Sequence, residues 1–186
     1  PDKDALVNFI ESITSRSVSP KEKIHGPRTM VDLCDIAEKF YFHPSTKGSN
    51  SLKKVLPALM KSSIVLRETY GKATYGGKGV SLNFVEPIAW WQERDGQVMD
   101  PYALLPPVFD DVSRDETDAA DEGLSEELKE GGAAMAAYAR LQFEDLSDTR
   151  RASIESALLR YCELDTLAMV MAIKAWDHIA ATSSRT

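Results

Sequence analysis

The sequence predicts a mostly α-helical chain with at most short strands. Three observations carry that prediction. Apolar residues recur at three- and four-residue spacing in 6–13, 33–40, 52–59 and 158–176, the period of a helix with one buried face. The run 131–143 is alanine-rich, the composition of a helix that packs closely. Between these stretches lie clusters of glycine, proline, serine and aspartate, which interrupt regular structure.

The elements follow in order. Residues 2–15 read as a helix with Leu6, Phe9, Ile10 and Ile13 on one face. Residues 15–27 read as a polar linker with two prolines. Residues 29–42 start extended and turn helical, with Leu33, Ile36, Ala37 and Phe40 as the stripe. Residues 43–51 form a turn cluster ending in Asn50 and Ser51, either of which suits an N-cap. The helix 52–60 follows, and Pro57 is expected to bend it or to end its first part. A short helix covers 64–70, and the glycine-rich run 71–81 is expected to be mobile. That run lacks the Lys-Ser/Thr ending of a phosphate-binding P-loop, so it is a weak phosphate signal.

Residues 86–111 read as an irregular arm anchored by Trp90 and Trp91, and 110–130 as a solvated acidic loop. The alanine-rich helix is expected to begin at Gly131 and Gly132, whose small size permits a close neighbour. The last helix is expected to start after an N-cap at Ser147 and to run to about Ala180. Four segments result. Residues 1–28 are an N-terminal helix and linker, and 29–70 a strand-helix-helix unit. Residues 71–130 are the aromatic arm and acidic loop, and 131–180 the packing helix and the final helix.

Composition narrows the function classes. Hydrophobic residues make up 43% and charged residues 27% of 186, a globular balance that allows a real core. Net charge is −7. Residues 100–130 hold eleven acids and two bases, so that segment carries −9 and the remainder +2. The acidic total therefore leaves room for a basic binding face elsewhere. Cys34 and Cys162 sit in apolar helical patterns, so a disulfide framework is not expected and a reducing cytoplasm fits. His25, His43 and His178 are scattered, which does not suit a zinc site. No signal-peptide pattern opens the chain, and no apolar run approaches a membrane span, so no membrane partner is expected.

One residue stands out in the final helix. Asp165 precedes a stretch, 166–173, without any charge. An ionised carboxylate among such neighbours is costly unless something compensates it. Tyr161 lies one turn earlier on the same side, because four residues rotate the helix by about 400°. The plain alternative is that Asp165 bonds a backbone amide or faces solvent. Lys47, Ser49, Asn50, Lys53 and Lys54 form a polar-basic group around a helix start, a chemistry that suits phosphate oxygens. An ordinary capped surface helix explains that group equally well. Glu163 is expected to be solvated, and Asp32 to be a structural cap or a strand-end residue rather than a ligand.

Tyr161-Cys162-Glu163-Leu164-Asp165 has the form Tyr-x-x-x-Asp. It resembles the third motif of the DEDD-type 3′→5′ exonucleases, tyrosine subclass. "TMVDL" (29–33) resembles the short strand before a helix in that fold, and "GSNSLKKVLPAL" (48–59) the Ser-Leu helix that follows. Together with "DPYALLPPVF" and "GGAAMAAYARLQF", these stretches are similar to the C-terminal part of a prokaryotic domain-of-unknown-function family that is exonuclease-like. The resemblance covers most of residues 5–178. It implies an α/β ribonuclease-H-like fold in the intact domain. It also implies Mg2+ or Mn2+ held by Asp165 and other carboxylates, Tyr161 orienting the attacking water, and a DNA or RNA end as substrate. Two divalent ions about 4 Å apart then serve a phosphodiester.

The family's first motif, Asp-x-Glu on a strand, and its second acidic motif are absent from this chain. They are expected upstream of Pro1, with the missing N-terminal strands, or an oligomer partner, covering the exposed core. The rivals are a non-catalytic nucleic-acid or protein binding scaffold that keeps the fold, and a helical interaction domain using 84–109 as its contact surface.

Overall fold

A computed structural model describes residues 2–20, 22–105 and 126–183. The chain divides into two compact units, Pro1–Tyr41 and Phe42–Thr186. The described residues are mostly helical, with two small antiparallel two-stranded sheets.

In the first unit, α1 (Lys3–Ile13) is capped by Asp2, whose side chain accepts from the Asp4 amide. The hairpin β1 (Ser15–Ser19) and β2 (Glu22–His25) follows, replacing the expected linker. All nine strand residues are exposed, so no alternation of polar and apolar residues announced them. Gly26 brings the chain back onto the end of α1. Its amide donates to the Thr14 carbonyl at 2.9 Å, and the Arg28 amide donates to Ser12 at 2.8 Å. A Cβ on Gly26 would overlap the Glu11 and Ser12 carbonyl oxygens, so the position requires glycine. Residues 29–32 form no strand; the chain passes directly into α2 (Leu33–Phe40). Asp32 caps α2 by accepting from the Cys34 and Asp35 amides, the first of its two expected roles. The α1 stripe is present but uncovered: Leu6, Phe9 and Ile10 are exposed, and Ala37 is the buried residue described in this unit.

The second unit is built around one long helix. A 3-10 turn (Pro44–Thr46) leads through Lys47 and Gly48, both with positive φ, into α3 (Leu52–Ser62). Ser51 occupies the N-cap position but makes no side-chain cap bond. The helix runs through Pro57 instead of ending there. Val55, Leu56, Ala58, Leu59 and Met60 are all buried around that proline, and this tertiary burial outweighs the local loss of one amide donor. Next come α4 (Ile64–Tyr70), the short hairpin β3 (Glu93–Arg94) and β4 (Gln97–Val98), and a 3-10 turn (Pro101–Leu104). Then follow α5 (Glu126–Phe143) and α6 (Asp148–Ser183).

Helices α3, α4 and α5 all pack on α6. Leu164, Leu167, Ala168, Met171, Ala172 and Ala175 form the buried side of α6. Ala137, Leu141 and Ile154 close a separate apolar cluster between α5 and α6. Ser147 caps α6 as expected, its hydroxyl accepting from the Arg150 amide at 3.3 Å. Gly131 and Gly132 lie within α5, not at its start. Of the acidic stretch 110–130, residues 126–130 belong to α5, and the rest lie outside the described residues.

The glycine-rich stretch 71–81 is bonded to the segment after it. Gly77 donates to Phe84 at 2.7 Å, and Ile88 donates to Tyr75 at 2.6 Å. The Gly77 amide is thus engaged by the protein itself, which removes it from any phosphate cradle. The arm that follows turns its rings inward. Trp90 is fully buried, Phe84 and Tyr102 nearly so, and the Trp91 indole donates to the Met60 carbonyl at 2.9 Å. These rings anchor the described part of the arm to the core.

Candidate functional site

Tyr161 and Asp165 sit side by side on α6, and the chain brings two further groups to them. The first is Tyr102. Asp100 caps its 3-10 turn, accepting from the Tyr102 amide at 3.0 Å, and Pro101 is fully buried. The turn directs the Tyr102 hydroxyl to Oδ1 of Asp165, to which it donates at 2.7 Å. The Tyr102 and Tyr161 rings lie 6.2 Å apart, tilted by 52°. The second group is Lys53 on α3. Its ammonium stands 4.9 Å from the Tyr161 ring centroid and 5.6 Å from that of Tyr102, within the range of cation–π attraction.

The charge on Asp165 therefore has a compensating donor: neither a backbone amide nor full solvation, but a buried phenol. Burial, then the hydrogen bond to Asp165 and its charge, push the Tyr102 hydroxyl far above the usual tyrosine range. It stays a donor at every physiological pH. Among the described residues Asp165 has no ion pair with lysine or arginine, and Oδ2 has no hydrogen-bond partner.

A second phenol–carboxylate pair lies on the same helix and behaves differently. Glu163, expected to be solvated, is half-buried and gathers the loop 75–84. Tyr75 donates to its Oε1 at 2.7 Å and Asn83 to its Oε2 at 2.6 Å. Arg160, three residues earlier, donates to the Asn83 carbonyl at 3.1 Å. Burial pushes the Glu163 carboxyl up, but hydrogen bonds from Ser81, Tyr75 and Asn83 outweigh it and hold the group below the ordinary range. Burial and the bond to Glu163 likewise raise Tyr75 well above its usual value.

The Glu163 clamp yields a pH prediction. A carboxyl whose folded pKa is lowered stabilises the fold above its unfolded pKa, and loses that contribution as pH falls through the folded value. Replacing the charged acceptor of Tyr75 and Asn83 by a neutral one, Glu163→Gln is expected to cost about 1 kcal/mol or less near neutral pH at this solvent-screened position. The gap to wild type should shrink as the pH falls below the carboxylate range. Urea unfolding of both proteins along a pH series measures this, and a gap that stays constant down to strong acid would refute it.

The polar-basic group predicted around the α3 start divides. Lys53 turns to the Tyr161 cluster. Lys47 is exposed at the left-handed turn, and Ser49 accepts from the Ser51 amide at 3.3 Å. Asn50 and Lys54 are half-buried beside it in sequence. Sequence reasoning missed Tyr102 altogether. Its only signal was a place in the Asp-Pro-Tyr of the stretch quoted for the family resemblance.

Helix α6 carries a further anomaly. Opposite its buried side, Leu159, Met169, Val170 and Ile173 are about half exposed, and Cys162 and Thr166 lie exposed between them. An amphipathic surface helix normally presents charge there. Asp165 falls at the border between the buried side and this uncovered apolar side.

Among the described residues no three His, Cys, Asp or Glu side chains converge to hold a metal ion. Magnesium demands several hard oxygen ligands, and one aspartate with one oxygen already engaged does not meet that demand. By themselves these residues do not fit a divalent ion. Among them, too, no helix is long and apolar enough to cross a membrane. No family model, curated protein or solved structure matches the chain.

Proposed function

We propose that this chain is the C-terminal part of a ribonuclease-H-like domain of the DEDD exonuclease class, tyrosine subclass. Its intact function is metal-dependent 3′→5′ hydrolysis of phosphodiester bonds at a DNA or RNA end. One observation carries the reading: Asp165 is a half-buried carboxylate beside Tyr161, with one oxygen oriented by Tyr102 and the other unbonded among the described residues. Asp165 supplies one ligand to Mg2+ or Mn2+, and the remaining carboxylates come from outside the described residues. Tyr161 presents its phenol on the same face, and Lys53 adds positive charge there. Lys47, Lys54, Ser49 and Asn50 offer donors for the nucleic-acid backbone at the entrance to α3. The uncovered side of α6 supports the reading, because strands carrying the other acidic ligands need an apolar surface to dock on.

The second reading is a scaffold that keeps the fold without the chemistry. The saturation of Asp165 Oδ1 by Tyr102 favours it, since the pair also serves as a plain structural tie. Purified 1–186 distinguishes little by binding but much by activity. It is expected to leave a 5′-labelled oligonucleotide intact in magnesium, while the full-length protein degrades it. Magnesium-dependent degradation by 1–186 that disappears in Asp165→Ala would contradict the assignment of ligands outside the chain. No degradation by full-length protein would leave the scaffold reading.

A further inference from the structure

We infer that the edge where α4 packs on α6 is a binding surface for single-stranded nucleic acid, built from Arg67 on Trp91 and Lys174 on Tyr70. The inference rests on the proposed hydrolase reading for the kind of ligand. Two cations stand on two rings there. The Arg67 guanidinium lies over the Trp91 ring at 5.9 Å, and the Lys174 ammonium over the Tyr70 ring, also at 5.9 Å. The rings are fixed from behind. The Trp91 indole donates to the Met60 carbonyl at 2.9 Å, and the Trp91 amide donates to the Tyr70 carbonyl at 2.9 Å. Both rings are half-buried, whereas Arg67 and Lys174 are exposed.

A third cation extends the row. Arg160 and Lys174 leave α6 within about 40° of each other and about 21 Å apart along the helix, so the edge is a track and not a point. Glu163, on the same edge, has both oxygens bonded to Tyr75 and Asn83. Glu68 and Asp177 lie close in sequence but form no ion pair with Arg67 or Lys174 among the described residues. A single strand offers two kinds of group to such a track. Its phosphates take the cations, and its unpaired bases stack on rings and guanidinium planes. A duplex keeps its base faces covered, so it is the poorer ligand. The net charge of −7 supplies no long-range attraction, so affinity comes from contacts at this edge.

Fluorescence anisotropy of purified 1–186 tests this, with labelled oligothymidylate and oligouridylate at low salt in EDTA, so that no hydrolysis intervenes. Wild type is expected to bind both single strands with a Kd of about 10 μM, and a duplex of the same length at least about fivefold more weakly. Arg67→Ala is expected to weaken binding about tenfold and Lys174→Ala about fivefold. Each should also flatten the slope of log K against log salt by about 0.7. Arg67→Lys keeps the charge and loses the planar face, so it should keep the slope and still lose about threefold. Lys39→Ala removes an equal charge from the Pro1–Tyr41 unit, where Lys39 pairs with Asp35 at 2.8 Å, and should bind within about twofold of wild type. Unfolding midpoints are recorded in parallel, and should Arg67→Ala fail to fold, Lys174→Ala and Arg67→Lys decide. Four results would each overturn the inference: no binding by wild type, equal losses in Lys39→Ala and Lys174→Ala, equal affinity for the duplex, or full displacement by inorganic polyphosphate at matched charge. The hydrolase reading fails separately, when full-length protein leaves the oligonucleotide intact in magnesium, and that result does not touch the binding measured here.

Discussion

Trp90→Ala is expected to destabilise the Phe42–Thr186 unit by about 3–5 kcal/mol. Trp90 is fully buried among rings, 5.2 Å from Phe84 at 87° and 6.0 Å from Tyr75 at 63°. Edge-to-face pairs of this kind add about 0.5–1.5 kcal/mol each beyond area burial. Truncation removes both pairs and opens a cavity beneath the arm. The damage extends to the site, because Tyr75 also holds Glu163, on the helix that carries Asp165. The Trp90 indole N–H is buried without a hydrogen-bond partner among the described residues, which offsets part of the gain from burying the ring. Trp90→Phe, which keeps a ring and removes that N–H, is therefore expected to cost less than Trp90→Ala by at least about 1 kcal/mol. Urea unfolding reads both values. A Trp90→Ala protein as stable as wild type would mean the arm is not anchored where the structure places it.

The helices were legible because their apolar residues keep a helical period. Leu52, Val55, Leu56 and Leu59 announced α3, and Ser147 with the stripe through Leu158 announced α6. Pro57 does not end α3, the one of its two expected effects that the structure excludes, since local propensity is a weak term against the burial of five neighbours. The β1–β2 hairpin was invisible because Ser15–Ser19 and Glu22–His25 are exposed throughout and bury no alternating face. The Val-Asp step at 31–32 reads as a strand end but is the approach to a cap: Asp32 spends its carboxylate on the α2 amides.

The site was half legible. Tyr161 and Asp165 share a helix, so their adjacency follows from its pitch alone. Tyr102 reaches Asp165 from 63 residues away, and Asn83 reaches Glu163 from 80. No local pattern encodes such pairings. Lys53 shows the same limit. Its place in the chain groups it with Lys47 and Lys54, whereas the packing of α3 on α6 takes it to the rings of Tyr102 and Tyr161.

Asp165→Asn is the second large effect expected, and it separates chemistry from scaffold. Asparagine keeps the side-chain shape, and its carbonyl oxygen still accepts from Tyr102. Thermal stability is therefore expected to stay within about 1 kcal/mol of wild type. What disappears is the negative charge that a metal-dependent site requires of the residue. The most direct measurement is the rate at which full-length protein degrades a 5′-labelled oligonucleotide in magnesium, wild type against Asp165→Asn, with unfolding midpoints recorded in parallel. The rate is expected to fall by about a hundredfold or more at an unchanged midpoint. Equal rates from the two proteins would contradict the site assigned to Tyr161 and Asp165.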